Sequence, residues 1–135
     1  MAVIGSDSIV SGGGNDSSSA TVHRMMDAAA YTYTAAANQE VFKLWVYVGS
    51  SANGDGNGIE IGVYDITSAV NGATKVCSGS IAALTKSSWN SVEITPTALT
   101  EGNLYAVGWR VISATNVTLF TRYIGPNTFS ASNLT

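Results

Sequence analysis

The sequence predicts an all-β protein: an antiparallel two-sheet β-sandwich of about seven or eight strands with an extended N-terminal arm. Three observations predict it. Apolar and polar residues alternate with a period of two over most of the chain beyond residue 21. Clusters of Gly, Asn, Asp, Ser and Pro interrupt the alternation at short intervals, and β-branched and aromatic side chains fill the runs between them. Strands this short, on one domain's worth of chain (135 residues), bury their apolar faces most simply by laying one sheet on another.

Residues 1–20 read as the arm. Ser11-Gly12-Gly13-Gly14-Asn15-Asp16-Ser17-Ser18-Ser19-Ala20 is of low complexity. It carries too little apolar surface to offset the entropy of ordering it, so any order in it is expected to come from docking on something outside the domain. The β domain follows over 21–125, and 126–135 form a C-terminal tail. Thr21–Met26 and Ala29–Thr34 open the domain with one or two strands. The flanking Ala28–Ala30 and Ala35–Ala37 are helix formers, but Tyr31-Thr32-Tyr33-Thr34 between them favours strand.

Val41–Val48 is the strongest strand. Phe42, Leu44, Val46 and Val48 share one face, and Val41, Lys43, Trp45 and Tyr47 share the other. The Asn53–Gly58 turn leads to Ile59–Asp65, with Ile59, Ile61 and Val63 inward and Glu60 outward. Lys75–Ile81 and Trp89–Thr95 come next, and in the latter Val92 and Ile94 oppose Trp89 and Glu93. Pro96, which has no N–H for a ladder, is expected to end that strand. In Leu104–Ile112 the residues Tyr105, Val107, Trp109 and Val111 share a face. Val117–Ile124 is the last clear strand, ended by Gly125-Pro126.

Composition excludes several function classes. Only 11% of the residues are charged, and the net charge is −3; a nucleic-acid surface would need a basic patch. Ser, Thr, Asn and Gly supply 55 residues, so the exterior is polar through hydroxyls and amides. One Cys allows no disulfide within the chain and no zinc site of the usual kind. No apolar run approaches the length of a membrane span. Gly5, Ser6 and Asp7 follow Met1-Ala2-Val3-Ile4, and no Lys or Arg precedes Arg24. That pattern is unlike a secretory signal, and synthesis in a host cytoplasm is expected.

Local motifs have plain readings. Asn53, Asp55 and Asn57 imitate the opening of a calcium loop, but its twelfth position is Tyr64 and not a bidentate Glu; a hairpin turn is expected, with calcium as the alternative. His23 has no nucleophile that the sequence places beside it. Cys77 reads as a small buried side chain. Glu60, Asp65, Glu93 and Glu101 are not grouped as a glycosidase pair would be. Trp89 and Trp109 are expected to supply large apolar areas to the core. No cofactor is implied, and the chain is not expected to be an enzyme.

The order of motifs adds a resemblance. Lys43-Leu44-Trp45-Val46-Tyr47-Val48-Gly49 is followed by Gly58-Ile59-Glu60-Ile61-Gly62-Val63-Tyr64-Asp65. Later come Trp89-Asn90-Ser91-Val92-Glu93-Ile94-Thr95-Pro96, Leu99-Thr100-Glu101-Gly102 and Tyr105-Ala106-Val107. This order resembles jelly-roll-like β-sandwich modules of phage virion proteins and secreted bacterial accessory domains. The resemblance spans about residues 40–110. It implies a jelly-roll-like sandwich of the sort used by carbohydrate-binding modules, fibre tips and capsid decoration proteins.

A lightly charged exterior and two polar tails with apolar anchors fit a protein that clasps a lattice. With the resemblance, they lead to the expectation of a virion structural protein. It would be a capsid decoration (cement) protein of a tailed bacteriophage, held on the outer capsid surface as a homotrimer that binds the major capsid protein. Val3, Ile4, Ile9 and Val10 in the arm would make the contacts, with Phe129 and Leu134 as secondary anchors. The alternative is a carbohydrate- or receptor-binding module of a phage fibre or bacterial surface protein, with Trp45 and Tyr47 as the ligand-facing aromatics and a glycan as partner. A third reading is a fragment of a secreted adhesin or a lyase accessory domain.

Overall fold

The computed structural model describes residues 14–18, 23–25, 33–48, 57–68, 73–112 and 117–121. These form nine strands: β1 (Gly14–Ser18), β2 (His23–Met25), β3 (Tyr33–Thr34), β4 (Glu40–Val48), β5 (Ile59–Asp65), β6 (Thr74–Ile81), β7 (Ser88–Ala98), β8 (Leu104–Val111) and β9 (Val117–Thr121). No helix occurs among the described residues, and every strand pairing is antiparallel. The all-β class read from the two-residue period therefore holds. Ala35–Ala37 do not start a helix, because the Ala35 N–H donates to the Asn103 carbonyl and the Ala36 N–H to the Gln39 side chain.

One sheet runs β2-β8-β5-β6, with β3 also pairing with β8. Strands β4 and β7 form a second sheet, and β1 pairs with β9. Beside a second, smaller buried cluster of Tyr64, Ile66, Ala73 and Ala106, one apolar core joins the first two sheets. Leu44, Val46 and Val48 enter it from β4, Ile59, Ile61 and Val63 from β5, and Tyr105, Val107, Trp109 and Val111 from β8. Val92 and Ile94 of β7 and Val76, Cys77 and Ile81 of β6 pack against it. Residues two apart point to the same side of a strand, so the expected alternation of β5 and β8 is what fills this core. Trp109 is fully buried there, and its Nε1–H finds no hydrogen-bond partner among the described residues.

Two register shifts depart from the expected pattern. The first lies between Val41 and Lys43, which pair with Thr97 and Glu93 respectively. Three residues of β7 (Ile94, Thr95 and Pro96) thus stand against Phe42 alone. Pro96 does not end β7, which continues to Ala98; at a bulge the missing N–H costs no ladder bond. Phe42 leaves the alternation and is 45% exposed, instead of sharing the core face with Leu44.

The second shift lies in β6, where Cys77 pairs with Val63 and Lys75 with Tyr64, leaving Val76 as the extra residue. A one-residue insertion exchanges the two faces beyond it. Lys75 has the parity of Cys77 and Gly79, yet it emerges on the opposite face. Gly79 itself looks inward, where a Cβ would come within 2.8 Å of Val92 and 2.9 Å of Ile94; only glycine lets β6 approach β7 this closely.

The loops are tied by specific bonds. Asn90 Oδ1 accepts from the Thr85 N–H at 2.8 Å, and its Nδ2 donates to the Thr85 and Ser88 carbonyls, both at 3.0 Å. The turn before β8 places Gly102 at φ +80°, a left-handed conformation that glycine adopts without steric cost. Its N–H donates to the Ala35 carbonyl, while the Thr100 N–H donates to Tyr105 Oη at 2.8 Å.

Candidate functional site

Two surfaces gather chemistry-bearing side chains. The first is the outer face of the β4–β7 sheet. Tyr47 pairs with Trp89, Trp45 with Ser91 and Lys43 with Glu93, so all six residues lie on one side. Leu44, Val46 and Val92, on the alternate positions, point into the core. Trp45 is 50% exposed and Trp89 37%. The rings are held in place by their neighbours: Tyr47 and Trp89 meet edge to face, centroids 5.5 Å apart at 67°. Lys43 Nζ lies 4.5 Å from the centroid of the Trp45 ring and 3.6 Å from Glu93 Oε1.

The expected ligand-facing residues Trp45 and Tyr47 are thus adjacent on one face, and Trp89 joins them. Trp89 was expected in the core; it lies outside because it shares the parity of Ser91 and Glu93. That parity is the sequence signal that identifies it. Trp109, by contrast, is in the core as expected.

The second surface is the outer face of the larger sheet. Glu60 of β5 points away from the core, as its parity requires, but it is 9% exposed and not a solvated surface residue. Lys75 Nζ donates to Oε1 at 2.7 Å, and Arg110 reaches Oε2 through Nε and Nη2, both at 2.6 Å. Burial pushes the carboxyl upward, but hydrogen bonds from Lys75, Ser78 and Arg110 outweigh it and hold it at about 2. Tyr64, two percent exposed on the same face, is pushed up to about 12 by burial and by the charge of Glu60. Gly62 pairs with Gly108 between these groups. A Cβ on Gly62 would sit 2.9 Å from the Cys77 carbonyl oxygen, so β6 and β5 are close-set here. The carboxylate accepts from two cations and from Ser78, and so ties β5 to β6 and β8.

The remaining candidates have other surroundings. Asp65 ends β5, where it accepts from the Thr67 N–H at 2.9 Å and from Asn103 Nδ2 at 2.7 Å; bonds from Thr67 hold its carboxyl below the usual range. The Leu104 N–H donates to Thr67 Oγ1, which ties the end of β5 to the start of β8. Glu101 is exposed in the turn before β8. The thiol of Cys77 is partly buried against the core and pushed up by that burial. Among the described residues no group of three His, Cys, Asp or Glu side chains could hold a metal ion. Asn53 and Asp55 lie outside the described residues, as do Val3, Ile4, Ile9, Val10, Phe129 and Leu134. The backbone of His23 pairs opposite Arg110 in the β2–β8 ladder.

Comparison with protein-family models, with curated proteins and with solved structures finds no match to this chain.

Proposed function

We propose that this chain is a non-catalytic structural protein of a virus particle: a capsid decoration protein of a tailed bacteriophage, folded as a jelly-roll-like two-sheet sandwich and bound as a trimer to the major capsid protein. The observation that carries this reading is the pairing of Gly14 with Thr121 at one end of the β1–β9 ladder. The chain enters β1 and leaves β9 at the same point. Gly14 and Thr121, beyond which lie Val3, Ile4, Ile9 and Val10 in sequence on one side and Phe129 and Leu134 on the other, are thus side by side. Two apolar-bearing tails that leave one place can grip neighbouring subunits together, and a symmetric assembly multiplies each weak contact. The low charge of the chain supports an exterior that is largely covered in use.

A sandwich is supported by the core that the β2-β8-β5-β6 and β4–β7 sheets share, and by β9 lying against β4. The jelly-roll order rests on the resemblance.

The test is co-sedimentation with empty capsids of the same particle. A chain lacking residues 2–12 keeps Gly14–Ser18, and with it the β1–β9 ladder. It is expected to fold with an unchanged melting temperature and to lose capsid attachment. Saturation of capsids by this shortened chain, or a monomeric mass of the full chain in light scattering, overturns the reading.

A further inference from the structure

We propose that the outer face of the β4–β7 sheet binds a neutral carbohydrate, with Trp45 and Trp89 as the rings on which pyranose units rest. This goes beyond the decoration reading, whose contacts lie in the tails.

Three features select the ligand. The first is ring presentation. Half of the Trp45 surface and more than a third of the Trp89 surface are open to solvent, while Lys43 and Tyr47 hold the two rings in position. A ring already fixed loses little freedom when a ligand lands on it. Ser91, opposite Trp45, is small and leaves space beside that ring.

The second feature is charge. Lys43 and Glu93 neutralise each other at 3.6 Å, so the face offers no net charge to an anionic polymer or an anionic membrane. The third is the interleaving of polar and aromatic groups. Lys43 sits over Trp45, and Glu93 is its cross-strand partner. A protein partner burying the rings would have to bury this ion pair as well, and desolvation costs several kcal/mol per ion in a closed interface. A pyranose instead offers C–H groups to the negative face of an aromatic ring and hydroxyls at its rim. Those hydroxyls can bond Lys43, Ser91 and Glu93 while the pair stays in water.

The test uses the full chain titrated with cellohexaose, maltohexaose and mannohexaose, followed by tryptophan fluorescence and calorimetry, and a glycan array for breadth. Binding of at least one neutral glycan is expected, with Trp45→Ala and Trp89→Ala each weakening it about tenfold or more. Trp45→Phe is expected to retain part of it. Ser91→Arg, which fills the space beside Trp45 without removing a ring, is expected to weaken it as well, and unchanged melting temperatures show that the variants are folded. Absence of binding to any neutral glycan at millimolar ligand overturns the proposal. So does binding that survives both alanine variants, or that is confined to anionic glycans and abolished by salt. A shift in oligomeric mass on Trp45→Ala assigns the face to a protein contact and overturns it too. Capsid attachment is read separately, so failure here leaves the decoration reading standing.

Discussion

Glu60 and Arg110 stand directly opposite each other on β5 and β8, with Oε2 2.6 Å from Nη2, on the side of the sheet turned away from the core. In a chain with only 15 charged residues, three of them meet at this carboxylate. The cluster fixes the outer faces of three adjacent strands to one another.

Replacing Glu60 by Gln is expected to destabilise the protein by about 1–3 kcal/mol, measured by urea denaturation. The loss is smaller than for a fully buried pair, because Lys75 and Arg110 remain about one-third exposed. The pH dependence has a definite sign. The carboxyl titrates near 4.5 when unfolded and at about 2 when folded, so its stabilisation is fully present above 4.5 and is lost as pH falls through 2. The difference between wild type and Glu60→Gln should therefore shrink over that window. A difference that stays constant from pH 6 to pH 2 contradicts the role given to Glu60.

Gly79→Ala should cost about 1–3 kcal/mol by overpacking, since the new methyl group meets Val92 and Ile94. Val92→Ala makes room for it. The double variant should then be more stable than the sum of the two single losses allows, as measured in a double-mutant cycle.

Asn90→Ala should cost about 1–3 kcal/mol, because the Thr85 amide and two carbonyls lose their shared partner. Asn90→Asp keeps the acceptor for the Thr85 N–H but sets a carboxylate against the Thr85 and Ser88 carbonyls, and it is expected to be no better than alanine. Hydrogen exchange at the Thr85 amide should accelerate in Asn90→Ala, and an unchanged rate would show that this clamp is not what holds the turn.

The three tryptophans should divide in a quenching experiment. Trp45 and Trp89 are open to acrylamide, whereas Trp109 is fully buried. The double variant Trp45→Phe/Trp89→Phe should leave a single emitter at shorter wavelength, weakly quenched. Strong quenching of that emitter would contradict the placement of Trp109.

How far these features could be read from residues alone depends on the range of the interaction. The strand Ile59–Asp65 and the inward set Tyr105, Val107, Trp109 and Val111 follow from strict alternation, a local signal. Trp89 could have been placed outside by the same rule, since Glu93 shares its parity, but the demand of a core for large side chains pointed the other way. Pro96 was misleading for a different reason: its effect on a strand depends on whether the partner strand needs that N–H, and a bulge removes the need. The environment of Glu60 was not legible at all. Its burial arises from Lys75 and Arg110, 15 and 50 positions away, and no short window along the chain contains all three. The aromatic face was half legible: Trp45 and Tyr47 announce themselves on β4, while their companions come from β7.

The extra residue Val76 has a consequence for how this strand tolerates change. Excising it would turn the bulge into a regular ladder in which Cys77 still pairs with Val63 and Lys75 with Tyr64, so the ammonium group would keep its place at Glu60 and the packing of Val76 against the core would be what is lost. Loss of a single codon there would thus be milder than the same loss in β5, whose ladder with β8 has no extra residue to absorb it.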